Sequence, residues 1–161
     1  MTSPTQRSVP RLPLRDGLAF RLSRVARTLR AQWAEALAPL QLSTAQAATL
    51  RAIADSPGQS LRALARTLAT DPMNAKRCVD LLERRGLLHS GHEGTPRRSR
   101  ALRLTPEGQQ LSDRVDRLAR EQERRLGGWL GPEQVSGMRA ALDRLEAALD
   151  LDVTPHRGDH R

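Results

Sequence analysis

The chain has 161 residues, of which 27 are Lys or Arg and 18 are Asp or Glu, for a net charge of +9. That is about one domain's length, enough to bury a core without disulfide or metal staples. An aromatic content of 2% argues against a β-sandwich, the single cysteine (Cys78) excludes an intramolecular disulfide framework and fits a reducing cytoplasm, and no stretch approaches the ~20 apolar residues of a membrane span.

Residues 1–15 place Pro4, Pro10 and Pro13 among Ser, Thr and Arg, and read as a disordered basic arm. The arm lacks the apolar core of a signal peptide and the amphipathic helix of a transit peptide. From Leu18 the apolar stripe Leu22, Val25, Leu29, Trp33 and Leu37 predicts a first helix, closed by Pro39. Ser43, with Gln46 three residues on, has a capping-box pattern. It opens a second helix that buries Ala47, Leu50, Ile53 and Ala54 and stops at Ser56-Pro57-Gly58. Ser60 caps a short third helix with Leu61, Leu64, Ala65 and Leu68 facing inward. Asp71 caps a fourth, with Pro72 at the favoured first position and Gly86 at its end. Its inward stripe is Ala75, Cys78, Val79 and Leu82.

Helices three and four are joined by a few residues around Ala69–Asp71, the geometry of a helix-turn-helix. The first turns of helix four expose Asn74, Lys76 and Arg77, donors that read base edges or hold phosphates. Two short runs around a Gly- and Pro-containing tip, Leu87-Leu88 and Arg100 to Leu104, then suggest a β-hairpin. Arg97, Arg98, Arg100 and Arg103 make that hairpin a basic wing. Residues 62–103 carry ten basic side chains against four acidic ones. This excess, with seven Arg against Asp16 in residues 1–30, points towards a polyanionic partner.

Thr105 caps a long fifth helix, with Pro106 at its first position. Leu111, Val115, Leu118, Gln122, Leu126 and Trp129 share one side of it, and Gly127-Gly128 are expected to fray its end. Gly131-Pro132-Glu133 starts a sixth with a narrow seam of Val135, Met138, Leu142, Leu145 and Leu149. Helices one, five and six flank a winged module that has its own small core, so their apolar stripes are most simply buried against a second copy. His89, His92 and Glu93 read as polar loop. Cys78 reads as a small buried hydrophobe, and Trp33 as core or dimer packing. In the polar tail, Pro155 and Gly158 argue against a helical metal clip by His156 and His160.

In order and spacing, Leu42-Ser43-Thr44-Ala45-Gln46, the 61–70 helix, the run Arg77 to Leu87, Arg97-Arg98 and Leu104-Thr105-Pro106-Glu107-Gly108 resemble the MarR family of winged helix-turn-helix transcriptional regulators. The resemblance covers about residues 18–149. It implies a mainly α fold with a small β-wing: a winged-helix lobe over about 42–105 and dimerisation helices over about 16–38 and 106–150. These make one domain, 16–150, between the arm at 1–15 and the polar tail at 151–161. It also implies a symmetric homodimer, with helix four in the major groove of double-stranded DNA and a wing arginine in the adjacent minor groove.

By position that arginine is Arg98. Many members place an Asp two residues before it, where this chain has Pro96, leaving Glu93 as the acidic side chain nearest to that role. Ser60 and Arg62 match positions near the phosphate backbone, and Arg77 a basic position used on DNA. Asn74 and Lys76 match positions that set sequence preference, and Arg97 and Arg100 flank Arg98. The implied function is a sequence-specific, cytoplasmic, homodimeric repressor on a pseudo-palindromic operator, released by a small-molecule effector. No Gly-rich phosphate loop, metal-ligand cluster or nucleophile–base pair appears, so neither enzyme, cofactor nor metal is expected, and no membrane partner. From the residues alone, a sequence-independent nucleoid-like binder and a winged-helix protein-interaction module stay open.

Overall fold

The computed structural model describes residues 12–91 and 101–149. The chain divides into two compact units, one ending at Ala36 and the other starting at Leu37. The first holds most of α1 (Leu18–Leu37), preceded by a 3-10 turn at Leu14–Asp16 that overlaps the end of the stretch expected to lack structure. Leu18, Leu22 and Val25 are exposed along α1. A second 3-10 turn, Ala38–Leu40, follows α1 around Pro39.

In the second unit each early helix begins at a side chain able to cap it. The Ser43 hydroxyl accepts from the Gln46 amide at 3.2 Å, and the Gln46 side-chain oxygen accepts from the Ser43 amide at 2.9 Å, opening α2 (Thr44–Asp55). Ser60 opens α3 (Leu61–Thr67), accepting from the Ala63 amide, and Asp71 opens α4 (Pro72–Arg84). The strands β1 (Leu88–Gly91) and β2 (Ala101–Leu104) pair antiparallel, Leu88 opposite Leu104 and Gly91 opposite Ala101. Thr105 opens α5 (Pro106–Leu130), and α6 (Pro132–Ala148) follows.

The α2 helix sits at the centre of this unit, packed by α5, α4, β2 and α3. Leu50 and Ile53 on α2, Leu64 on α3, Leu82 on α4, Leu102 on β2 and Val115 on α5 are wholly buried. Each such side chain stabilises the fold by about 1.5–3 kcal/mol relative to leaving it in water. The free edge of β2 is not left open. Gly58 donates to the Leu102 carbonyl at 2.8 Å, and Leu102 donates to the Gln59 carbonyl at 3.0 Å, so the α2–α3 loop covers it.

Three expectations need correction. Gly127-Gly128 do not fray α5, which runs on to Leu130 with Gly131 donating to the Gly127 carbonyl at 2.8 Å. Glycine costs a helix about 1 kcal/mol relative to alanine, and α6 packing on α5 outweighs that. On α4, Cys78 is half-buried rather than buried, because the inward stripe is the narrower set Ala75, Val79 and Leu82. On α2, Ala52 is buried and Ala54 only half-buried.

Trp129, placed on the apolar side of α5, is 63% exposed, with the Arg125 guanidinium 5.5 Å from its ring centre. The α6 seam of Met138, Leu142, Leu145 and Leu149 is likewise open to solvent. No helix among the described residues is long and apolar enough to cross a membrane.

Candidate nucleic-acid interface

The turn between α3 and α4 is a Schellman motif read from the backbone. Ala69 donates to the Arg66 carbonyl and Thr70 to the Ala65 carbonyl, both at 3.0 Å. The motif requires a left-handed residue, and Ala69 fills the place with φ of 47° where glycine is usual. Two residues later Asp71 starts α4, so the two helices meet through a turn too short to wander.

Asp71 divides its two carboxylate oxygens. Oδ1 accepts from the backbone amides of Met73 and Asn74, each at 2.9 Å, which caps the helix. Oδ2 accepts from the side-chain nitrogen of Asn74. At 100° per residue, Met73 and Arg77 point away from the buried Ala75, Val79 and Leu82, with Asn74 and Lys76 on either flank. All four are exposed. Lys76 Nζ lies 2.6 Å from Asp80 Oδ2, one turn on. Among the described residues Arg77 and Arg62 make no ion pair.

A groove of about 530 Å³ runs between the start of α3, α4 and the hairpin, with Ser60, Arg62, Lys76, Glu83 and Ser90 among its walls. It gathers three of the side chains singled out in the sequence. Asn74 lies on the other flank, beside a smaller hollow of about 230 Å³ that also touches Thr49 and Cys78. The hairpin is fastened to α4 by Glu83, whose Oε1 accepts from the Ser90 amide at 2.7 Å and from the Ser90 hydroxyl at 2.6 Å. On β2 the Arg103 guanidinium lies over Gly58. Arg97, Arg98 and Arg100, with Glu93 and Pro96, lie outside the described residues.

Several contributors went unnoticed in the sequence. The Lys76–Asp80 pair has a readable i,i+4 spacing. Met73 is an apolar residue 68% exposed on the first turn of α4, visible once the helix phase is fixed. Glu83 and Ser90 carry no sequence signal, since only the fold brings them together.

No protein-family model matches the chain. Over 128 residues, 80% of this chain and 92% of the relative, it is 29% identical to the HTH-type transcriptional repressor Rv2887 of Mycobacterium tuberculosis. A structure of that MarR family protein with salicylic acid superposes with a TM-score of 0.64, covering 80% of this chain and 96% of that one at 29% identity. The repressor CouR of Rhodococcus jostii RHA1, bound to p-coumaroyl-CoA, gives a TM-score of 0.74 at 28% identity, covering 83% of this chain and 94% of that one. CouR bound to a 23-mer DNA duplex gives 0.75 at 28% identity, covering 84% of this chain and 99% of that one.

Proposed function

We propose that this chain is a winged helix-turn-helix regulator of the MarR family, acting as a homodimeric, ligand-responsive repressor on a pseudo-palindromic operator in double-stranded DNA. The observation that carries this reading is the face of α4. Asn74, Lys76 and Arg77 stand exposed on its first turns, behind a fixed turn from α3 and beside a hairpin tied down by Glu83. A relative of the same fold, CouR, has been captured on a DNA duplex.

In this reading Arg77 and Lys76 hold phosphates or base edges, and Asn74 reads a base edge. Met73 offers an apolar contact to a thymine methyl. Ser60 and Arg62 approach the backbone from the start of α3. Arg98 enters the minor groove from the wing, flanked by Arg97 and Arg100. The open seams on α6 and α1 support a second copy as their cover. Salicylic acid on Rv2887 and p-coumaroyl-CoA on CouR support a small aromatic acid, free or as a thioester, as the class of effector. The protein then works in the cytoplasm, where the DNA is, and needs no catalytic residue.

Footprinting on the protein's own upstream DNA tests the reading. Two protected half-sites related by a twofold axis, about 10–10.5 bp apart centre to centre, are expected. Uniform protection without a register would favour a sequence-independent binder instead.

A further inference from the structure

On the reading that α4 enters the major groove, we infer that Asp71 is a positioning residue that fixes the side-chain amide of Asn74 and thereby makes one base pair of each half-site A·T. The carboxylate does two separate things with two separate atoms. Oδ1 takes both backbone amides that a helix cap needs, from Met73 and Asn74. Oδ2 is left over, and it accepts from Asn74 Nδ2. A cap alone needs one oxygen, and serine or threonine supplies it.

The consequence for recognition follows from the chemistry of the amide. An asparagine side chain turned by 180° exchanges its acceptor for its donors, so a free one offers either face to DNA. Against a carboxylate oxygen only the nitrogen is tolerated, because two acceptors facing each other repel. The nitrogen is therefore held towards Asp71 and the carbonyl oxygen away from it. One N–H is spent on Asp71. The second N–H and the carbonyl oxygen remain as a donor–acceptor pair, the complement of adenine N7 and N6 in the major groove. Asn74 is exposed and sits in the first turn of α4, where a recognition helix meets base edges.

The test is selection from a randomised duplex library with the full-length protein, comparing wild type, Asp71→Ser and Asn74→Ala. Wild type is expected to select a twofold motif with one symmetric A·T position favoured roughly 5- to 150-fold over other pairs. Asn74→Ala loses that preference and keeps the others. Asp71→Ser, which retains a capping oxygen, relaxes the same position several-fold with an unchanged thermal midpoint and unchanged preferences elsewhere. Asp71→Thr gives the same result by a second route, should the serine variant fold poorly.

Full preference at that position in both Asp71 variants would overturn the inference and leave Asp71 as a cap. So would a motif in which Asn74→Ala alters no position. In either case the wild-type motif would still stand for the regulator. A wild-type protein that selects no motif would overturn the regulator reading and this inference together.

Discussion

Gly108 lies against the backbone carbonyl of Leu87, so close that a side-chain carbon at position 108 would overlap the carbonyl oxygen. The contact joins the end of α4 to the start of α5, and Thr105 reinforces it. The Thr105 hydroxyl accepts from the Gly108 amide at 3.0 Å and donates to the Gly86 carbonyl at 2.8 Å. The Thr105 amide donates to Leu87 itself at 3.1 Å. Backbone cannot yield as a flexible side chain does. Gly108→Ala is expected to lower stability by at least about 2 kcal/mol, read as a drop in the urea midpoint. A wild-type midpoint would mean that α5 can shift away at little cost.

The two helices of the DNA-binding motif end in the same backbone motif with different residues at its left-handed position. After α3 it is Ala69 with φ of 47°, and after α4 it is Gly86 with φ of 67°. A side chain in that region costs roughly 1–2 kcal/mol, partly offset by the greater freedom of glycine in the unfolded chain. Ala69→Gly should therefore stabilise by up to about 1 kcal/mol, and Gly86→Ala should destabilise by about 1 kcal/mol. Thermal denaturation of the pair reads both signs at once, and equal shifts in one direction would refute the assignment.

Glu83 holds the hairpin to α4 through two hydrogen bonds from Ser90. Bonds to a charged acceptor contribute about 1.5–3 kcal/mol, and removing the acceptor leaves the half-buried Ser90 amide without its partner. Glu83→Ala is expected to cost about 2 kcal/mol of stability and to weaken DNA binding through a displaced wing. Glu83→Gln keeps an oxygen and should lose less of both. Equal losses in the two variants would show that the contact does not fasten the wing.

Arg77 and Lys76 are neighbours on α4 with different electrostatic histories. Arg77 makes no ion pair among the described residues, whereas Lys76 is held by Asp80. Each phosphate contact contributes about 0.9 to the slope of log affinity against log salt, and a dimer makes each contact twice. Arg77→Ala should flatten that slope by roughly 2. Asp80→Ala should tighten non-specific binding by freeing Lys76. Arg98→Ala should weaken binding at both half-sites, and unchanged affinity would remove the wing arginine from the minor groove. Salt titrations of the three variants separate these contributions.

Most of the fold was legible because its boundaries are chemical. Ser43, Ser60, Asp71 and Thr105 each precede a helical apolar pattern, and each side chain caps the helix that follows it. Local hydrogen bonding decides such positions, and sequence records local chemistry well. The Gly127-Gly128 pair misled because its penalty is local while the packing of α6 on α5 is not. The same limit applies to the site. Asn74 and Arg77 could be placed on an exposed helical face from periodicity alone. The second oxygen of Asp71, the tie from Glu83 to Ser90 and the close approach at Gly108 depend on where neighbouring atoms come to lie.

The most direct measurement is a fluorescence-anisotropy titration of the purified protein against its own upstream DNA and against a scrambled duplex of the same composition, at several salt concentrations. A site-specific regulator is expected to prefer its own DNA by about a thousandfold or more, with affinity falling steeply as salt rises. Equal affinity for both duplexes at every salt concentration would contradict specific operator recognition at that region.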